Sequence, residues 1–81
     1  MTSTRQIQEL VQLRRALTDG TARRLREQAG LSLTDVARPA GVTASTISRW
    51  ESGLRVPRTA QALRYAEVLK ALVQAVPDEA A

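Results

Sequence analysis

The segment VTASTISRWESG, residues 42–53, carries hydrogen-bonding side chains at a regular spacing. If the segment is an α-helix, positions i, i+3, i+4 and i+7 share one face, here formed by Ser45, Ser48, Arg49 and Ser52. Solvated helices usually expose long charged residues, whereas this face has three hydroxyls and one guanidinium. Its small side chains and hydrogen-bond donors favour the close approach of a polar partner.

The other side of the same segment is apolar. Ile47, Trp50 and Leu54 fall there, so we expect all three to anchor the helix to a core. Trp50 and Tyr65 are the only aromatic residues, and a stacking platform for a ligand normally needs several exposed rings. We therefore expect both rings to be packed inside the protein.

Groups that support catalysis or metal binding are scarce. The chain has no His and no Cys, which removes imidazole and thiol catalysis, disulfides and the usual zinc sites. Its eight acidic residues are scattered, and no glycine-rich phosphate loop is present, so no acid–base pair or nucleophile can be nominated. We predict that the protein is not an enzyme and that it uses no metal or cofactor.

The positive charge is concentrated in the first four-fifths of the chain. Residues 1–65 contain eleven arginines and five acidic residues, whereas residues 66–81 contain one lysine and three acidic residues. Arginine binds phosphate and guanine through paired hydrogen bonds, which lysine cannot do. A GC-rich genome also favours arginine over lysine, so the bias by itself is weak evidence for an anionic partner.

The size of the chain limits its architecture. Eighty-one residues form one folded unit, and a unit this small gains stability from self-association. The longest apolar run is three residues, 71–73, which is too short for a membrane span or a signal-peptide core. We expect a cytoplasmic, nucleoid-associated protein.

Helical spacing recurs along the chain, and no segment alternates in the manner of a strand. We predict five helices, at residues 4–17, 21–29, 33–40, 43–52 and 59–75. The apolar stripe of the first would be formed by Ile7, Leu10, Val11 and Leu17. In terms of domains, residues 1–20 form an N-terminal helical extension, residues 21–76 the main domain and residues 77–81 a frayed tail.

The third and fourth helices carry clear boundary signals. Ser32 and Asp35 have capping-box spacing, Gly41 is suited to a left-handed turn, and Thr43 can cap the next helix. Pro39 works against this pattern, because it removes a helical hydrogen bond and disfavours helical geometry at the residue before it. We therefore expect the third helix to end early or to kink.

The spacing around this turn predicts a helix-turn-helix. Two short helices joined by a glycine-centred turn define that motif. The first helix needs a small residue where the second crosses it, and Ala37 is there. Gly41 follows four positions later, and Ile47, a branched residue that can lock the crossing, follows six positions after that.

The segment LREQAGLSLTDVARPAGVTASTISRWESGLRVP resembles the helix-turn-helix domain of the phage-repressor and Cro-like (XRE) regulators, over about residues 25–69. The resemblance implies an all-α, lambda-repressor-like bundle of five helices, here with an extra N-terminal helix. Residues 43–52 would be the recognition helix, which enters the major groove of DNA. Leu33 stands where the family usually has a DNA-contacting Gln.

The resemblance also assigns roles by position. Ala44, Ser45 and Arg49 match base-contacting positions, and the exposed face adds Ser48 as a further candidate. Positions that commonly meet backbone phosphates are occupied by Thr43, Ser52, Arg55 and Arg58. For Arg24, a phosphate contact and a merely solvated position are equally good interpretations. Arg26 and Glu51 match a structural ion pair, while Arg49 has local acids, Glu51 or Asp35, as alternative partners.

Together these features predict a sequence-specific double-stranded DNA-binding transcriptional regulator that acts by operator occupancy. We also expect a homodimer, formed through surplus apolar residues of the fifth helix, of the first helix, or of both: Leu69, Leu72, Val73 and Val76, and Ile7, Leu10 and Val11. In the rival arrangement the first helix folds back on the fifth within one chain. The alternative function is a protein-interaction module with a regulatory protein partner, such as an antitoxin or a phage accessory or excisionase-like factor.

Overall fold

A computed structural model describes residues 2–75, and it contains five helices in this part of the chain. They are α1 (Thr4–Thr18), α2 (Thr21–Gln28), α3 (Leu33–Ala40), α4 (Ala44–Glu51) and α5 (Thr59–Ala75). No strand occurs among these residues, so the predicted all-α, five-helix fold is confirmed. Each observed boundary lies within one residue of the predicted one. The predicted frayed tail lies outside the described residues.

Local hydrogen bonds at the N-termini account for where the helices begin. In α3, the amide of Asp35 donates to Ser32 Oγ at 3.1 Å, and the amide of Ser32 donates to Asp35 Oδ2 at 2.8 Å. This is the predicted capping box. In α4, the amide of Thr46 donates to Thr43 Oγ1 at 3.2 Å, so Thr43 is the expected N-cap.

Pro39 does not shorten α3, so the expectation of an early end is wrong. The helix runs to Ala40 and closes at Gly41, which has a φ of +72°. Two further backbone bonds hold this end, from the Gly41 amide to Arg38 O and from the Val42 amide to Ala37 O. Because Pro39 is exposed and lies in the last turn, water can solvate the carbonyl that its missing N–H would have bonded.

The core lies where α5 packs against α1, α2 and α3, and α4 packs against α3. Its buried members come from all five helices: Leu10, Leu13, Leu17, Ala22, Val36, Ala37, Ala40, Ile47, Trp50, Ala62, Tyr65, Ala66, Leu69 and Leu72. On α1 the predicted stripe is partly wrong. Leu13 is buried instead of Ile7 and Val11, which are 51% and 50% exposed. The inward face of α1 follows Leu10, Leu13 and Leu17, which leaves Ile7 and Val11 at its edge.

The N-terminal helix folds back on the fifth within one chain, which is the rival arrangement of the sequence analysis. Lys70 Nζ lies 2.6 Å from Glu9 Oε1 across the two helices. Leu10, Leu69 and Leu72 belong to the core of the monomer, so assigning them to a dimer contact was wrong. From the expected contact surface only Ile7, Val11 and Val73 remain exposed. Val76 lies outside the described residues.

Leu54 does not join Ile47 and Trp50 in the core, contrary to the expectation. It is 76% exposed. Helical periodicity does not extend to Leu54, because α4 ends at Glu51. Gly53 then turns the chain with a φ of +81°. Leu54 therefore leaves the apolar face of α4 and enters the loop that leads to α5.

Candidate nucleic-acid interface

The crossing of α3 and α4 has the features that a helix-turn-helix requires. Ala37 and Ile47 are buried at the crossing, and Gly41 supplies the left-handed residue of the turn. Beneath α4, the rings of Trp50 and Tyr65 have centroids 5.6 Å apart. Both side chains are buried, so the prediction that they belong to the core is confirmed. α4 is thus anchored on one side only, and its other side is open.

The open side of α4 carries small polar residues. Ser45, Ser48 and Arg49 are exposed, and Ala44 is half-buried at the start of the helix. Ser52 is exposed at the C-cap, and its hydroxyl donates to Arg49 O at 3.2 Å. With small side chains along this face, the backbone of α4 can come close to a flat or grooved partner.

Arg49 has no carboxylate partner within 4.0 Å among residues 2–75. Both local acids that were candidates are engaged elsewhere. Glu51 binds Arg26, and the carboxylate of Asp35 accepts the amide of Ser32. The guanidinium of Arg49 therefore keeps its hydrogen-bonding capacity for a ligand.

Arg26 and Glu51 form a two-pronged ion pair that joins α2 to α4. Arg26 Nε and an Nη donate to the two carboxylate oxygens of Glu51 at 2.8 and 2.9 Å. The second Nη donates to Leu31 O at 3.1 Å. The side chains are only 11% and 7% exposed, and the hydrogen bonds with Glu51 raise the pKa of Arg26. This pair restrains the end of α4 and therefore the direction of its open face.

The loop after α4 holds two arginines at defined positions. The amide of Arg55 donates to Arg49 O at 3.2 Å, and Arg58 O accepts the amide of Ala62 at 2.7 Å, in the first turn of α5. Between them Pro57 is buried. Arg55 and Arg58 are exposed, and neither has a carboxylate within 4.0 Å in the described part of the chain. The loop thus presents two available guanidinium groups beside the end of α4.

Besides Ser52, two of the predicted phosphate-contacting residues already have intramolecular partners. Thr43 Oγ1 caps α4 and lies 3.0 Å from Thr46 Oγ1. Arg24 donates to Thr21 Oγ1 at 3.3 Å and to Asp19 O at 3.5 Å. These bonds tie the side chain of Arg24 to the first turn of α2. The bond from the Arg55 amide to Arg49 O places the loop next to the end of α4.

Arg64 was not singled out from the sequence, although it lies against the helix-turn-helix. A Cβ built on Gly41 would come within 2.6 Å of a guanidinium nitrogen of Arg64. Arg64 is on α5, 23 positions later in the chain, and no motif signals this proximity. Only the packing of α5 against α3 reveals it.

Other classes of site are not found in the described residues. No helix there is both long and apolar enough to cross a membrane, and no cluster of three or more potential metal ligands occurs. Residues 20–78 match the family model described as Helix-turn-helix domain, which points to DNA binding. Neither a curated protein nor a solved structure matches the chain significantly. With a match over more than half of its length and a helix-turn-helix in its fold, the chain belongs to the helix-turn-helix domain family.

Proposed function

We propose that the protein is a sequence-specific double-stranded DNA-binding transcriptional regulator of the repressor or Cro-like type. In this proposal α4 enters the major groove, and the protein acts by occupying an operator. No catalytic step and no cofactor is involved.

The open face of α4 is the observation that carries the proposal. Arg49 projects from a helix whose other exposed side chains are Ser45 and Ser48, with the half-buried Ala44 at its start. The guanidinium has no acidic partner in residues 2–75, so it is available for guanine O6 and N7. Small neighbours allow the helix to approach the base edges, and methyl groups such as that of Ala44 suit thymine.

Arg55 and Arg58 would hold the complex in register. They flank the exit of α4, where a chain leaving the groove passes the phosphate backbone. Phosphate contacts position a protein on the duplex without reading its sequence. The buried Arg26–Glu51 pair supports this arrangement, because it restrains the helix that must be aimed into the groove.

Selection from random duplexes, followed by footprinting, tests the proposal directly. We expect an enriched sequence, protection of the major groove, and binding that weakens as salt rises. If no duplex is enriched and none shifts at low salt, the proposal is wrong.

Arg49 and Arg55 should separate base reading from phosphate binding. We expect Arg49→Ala to weaken the binding free energy for the selected site by about 1–3 kcal/mol and to relax the sequence preference at one base pair. Arg55→Ala should weaken binding to all duplexes alike and make the negative slope of log affinity against log salt shallower by about 1. Equal losses on selected and random DNA for both variants would mean that Arg49 does not read a base.

A protein-interaction module, such as an antitoxin or a phage accessory or excisionase-like factor, is the second candidate. The exposed Ile7, Val11 and Val73 favour it, because they leave apolar surface on α1 and α5. Tight binding to one protein partner, without any shift of duplex DNA, would support this candidate against the first.

A further inference from the structure

A shallow depression joins α1 to the loop between α4 and α5. Both elements contribute to its lining: Arg14, Leu17, Thr18, Val56 and Pro57. The last two are the residues that separate Arg55 from Arg58 in the chain. The fold therefore brings Arg14 of α1 next to the loop that carries both of these arginines.

Arg14 is an available charge at this place. It is exposed, and no carboxylate in residues 2–75 lies within 4.0 Å of its guanidinium. Arg5 of the same helix is also exposed, but it differs in its partner and its position. It lies near Glu9, at 4.0 Å, and it is nine positions earlier, about two and a half helical turns, which puts it on the opposite side of α1.

We propose that Arg14 binds a backbone phosphate of the DNA duplex that α4 enters. It extends the phosphate-binding surface of Arg55 and Arg58 onto the N-terminal helix. This inference rests on the proposed function. α1 ends at Thr18, before the matched family domain begins at residue 20, so this contact comes from a part of the chain outside that domain.

The chemistry favours phosphate over a base at this position. A planar guanidinium can bind two phosphate oxygens through parallel hydrogen bonds. Arg14 adjoins the loop that follows α4 and not the open face of α4, so it lies beside the groove-entering helix. From there it meets the ridge of the backbone, which orients the protein without carrying sequence information.

Arg14→Gln in the full chain tests the inference, with Arg5→Gln as the matched control. Each variant removes one positive charge from α1 and keeps much of the alkyl chain, but on opposite sides of the helix. Affinity is measured on the selected duplex and on a random one, between about 50 and about 200 mM salt. Circular dichroism melting checks that both variants are folded.

For Arg14→Gln we expect equal weakening on both duplexes and a negative slope of log affinity against log salt that is shallower by about 0.9. The ratio of wild-type affinity to Arg14→Gln affinity then falls by about 3.5-fold from the lowest to the highest salt concentration. Arg5→Gln should keep the wild-type slope.

The inference is overturned if Arg14→Gln has the same salt slope and the same affinity as the wild type, or as Arg5→Gln. Arg55→Ala in the same series separates this failure from a wider one. If the wild type binds DNA and Arg55→Ala weakens it while Arg14→Gln does not, only the role of Arg14 is wrong. If the wild type binds no duplex, the proposed function fails as well.

Discussion

Tyr65 lies in the core of the molecule, under α4 and close to the partly buried Arg26–Glu51 pair. Its side chain is fully buried, and its hydroxyl has no hydrogen-bond partner within the described residues. Burial, together with the smaller effect of the nearby charge of Glu51 and against the opposing charge of Arg26, raises the pKa of Tyr65 to about 12. A phenol in this setting is kept neutral by its surroundings.

Titration of Tyr65 is therefore expected to report on the intact core. Since this is the only tyrosine of the chain, the absorbance of phenolate measures it alone. The folded protein should titrate near 12, against 10.0 for an unperturbed tyrosine. Because the pKa is higher in the folded state, the contribution of Tyr65 to stability is fully present below pH 10.0, the pKa in the unfolded state. This contribution is lost as the pH rises from there toward 12. Tyr65→Phe should remove this part of the alkaline loss of stability. A midpoint near 10 with the helices intact would contradict the assignment.

The Arg26–Glu51 pair is expected to matter far more than the surface pairs of the same protein. Glu51→Gln leaves the guanidinium of Arg26 buried without its counter-charge, because that side chain is only 11% exposed. We expect the free energy of unfolding to fall by about 3–5 kcal/mol, measured by urea denaturation.

The control is the pair of Arg23 and Glu27, which lies 3.5 Å apart with side chains 62% and 53% exposed. Arg23→Gln should lower the free energy of unfolding by less than about 1 kcal/mol. If Glu51→Gln does not fold, the double variant Arg26→Met/Glu51→Leu should, because a buried pair can be replaced by apolar groups without great loss. Equal effects of Glu51→Gln and Arg23→Gln would mean that solvent screens both pairs.

Among the helices, α3 has a capping box whose contribution to stability is lost at low pH. The backbone and side-chain hydrogen bonds with Ser32 lower the pKa of Asp35. The carboxylate is thus favoured in the folded state, so its stabilisation is present above the unfolded pKa of 3.8 and is lost as the pH falls below it.

Asp35→Asn should therefore reduce the loss of stability on acidification. Urea denaturation at a series of pH values, from neutral to below 3.8, measures it for both proteins. Part of the dependence will remain, because the hydrogen bonds of Asp19 with Thr21 lower the pKa of that carboxyl in the same direction. If the wild type and Asp35→Asn lose stability equally over this range, the capping box makes no contribution that depends on charge.

At the scale of the whole molecule, the remaining exposed apolar residues leave a narrower surface for a homodimer than the sequence suggested. Ile7, Val11 and Val73 are still exposed, whereas Leu10 and its partners on α5 are buried in the monomer. We propose that the dimer contact draws on these three residues. Two copies of α4 would then lie about 34 Å apart, to enter successive major grooves.

Sedimentation of the free and DNA-bound protein measures this association. We expect Val11→Glu and Val73→Glu to weaken the dimer, since each places a charge in an apolar contact without disturbing the core. Gln8→Glu is the control, because it adds the same charge at an exposed polar position of α1. The dimer proposal is wrong if the free protein is a monomer and the DNA-bound protein is a monomer on a single half-site.

The boundaries and the motif could be predicted because their signals act over short distances. Ser32 and Asp35 bond to each other's backbone amides three residues apart, and Gly41 closes the same helix by its own φ. Ala37, Gly41 and Ile47 define the crossing by spacing alone. Pro39 did not have the predicted effect of ending α3 early, since an exposed proline in the last turn removes a bond that water can replace.

The sequence therefore predicted the helices, the turn and the residue types on the open face of α4. The tertiary structure decided which apolar residues are covered, since burial depends on what packs against a helix and not on its own periodicity. Leu13 is buried where Val11 was expected, and Leu54 lies outside the core because the chain turns after α4. The Arg26–Glu51 pair, which the family resemblance alone implied, leaves Arg49 without that acid as a partner, and the packing of α1 brings Arg14 beside the loop. Such contacts join residues 25 or more positions apart, a distance over which local sequence carries no geometric signal.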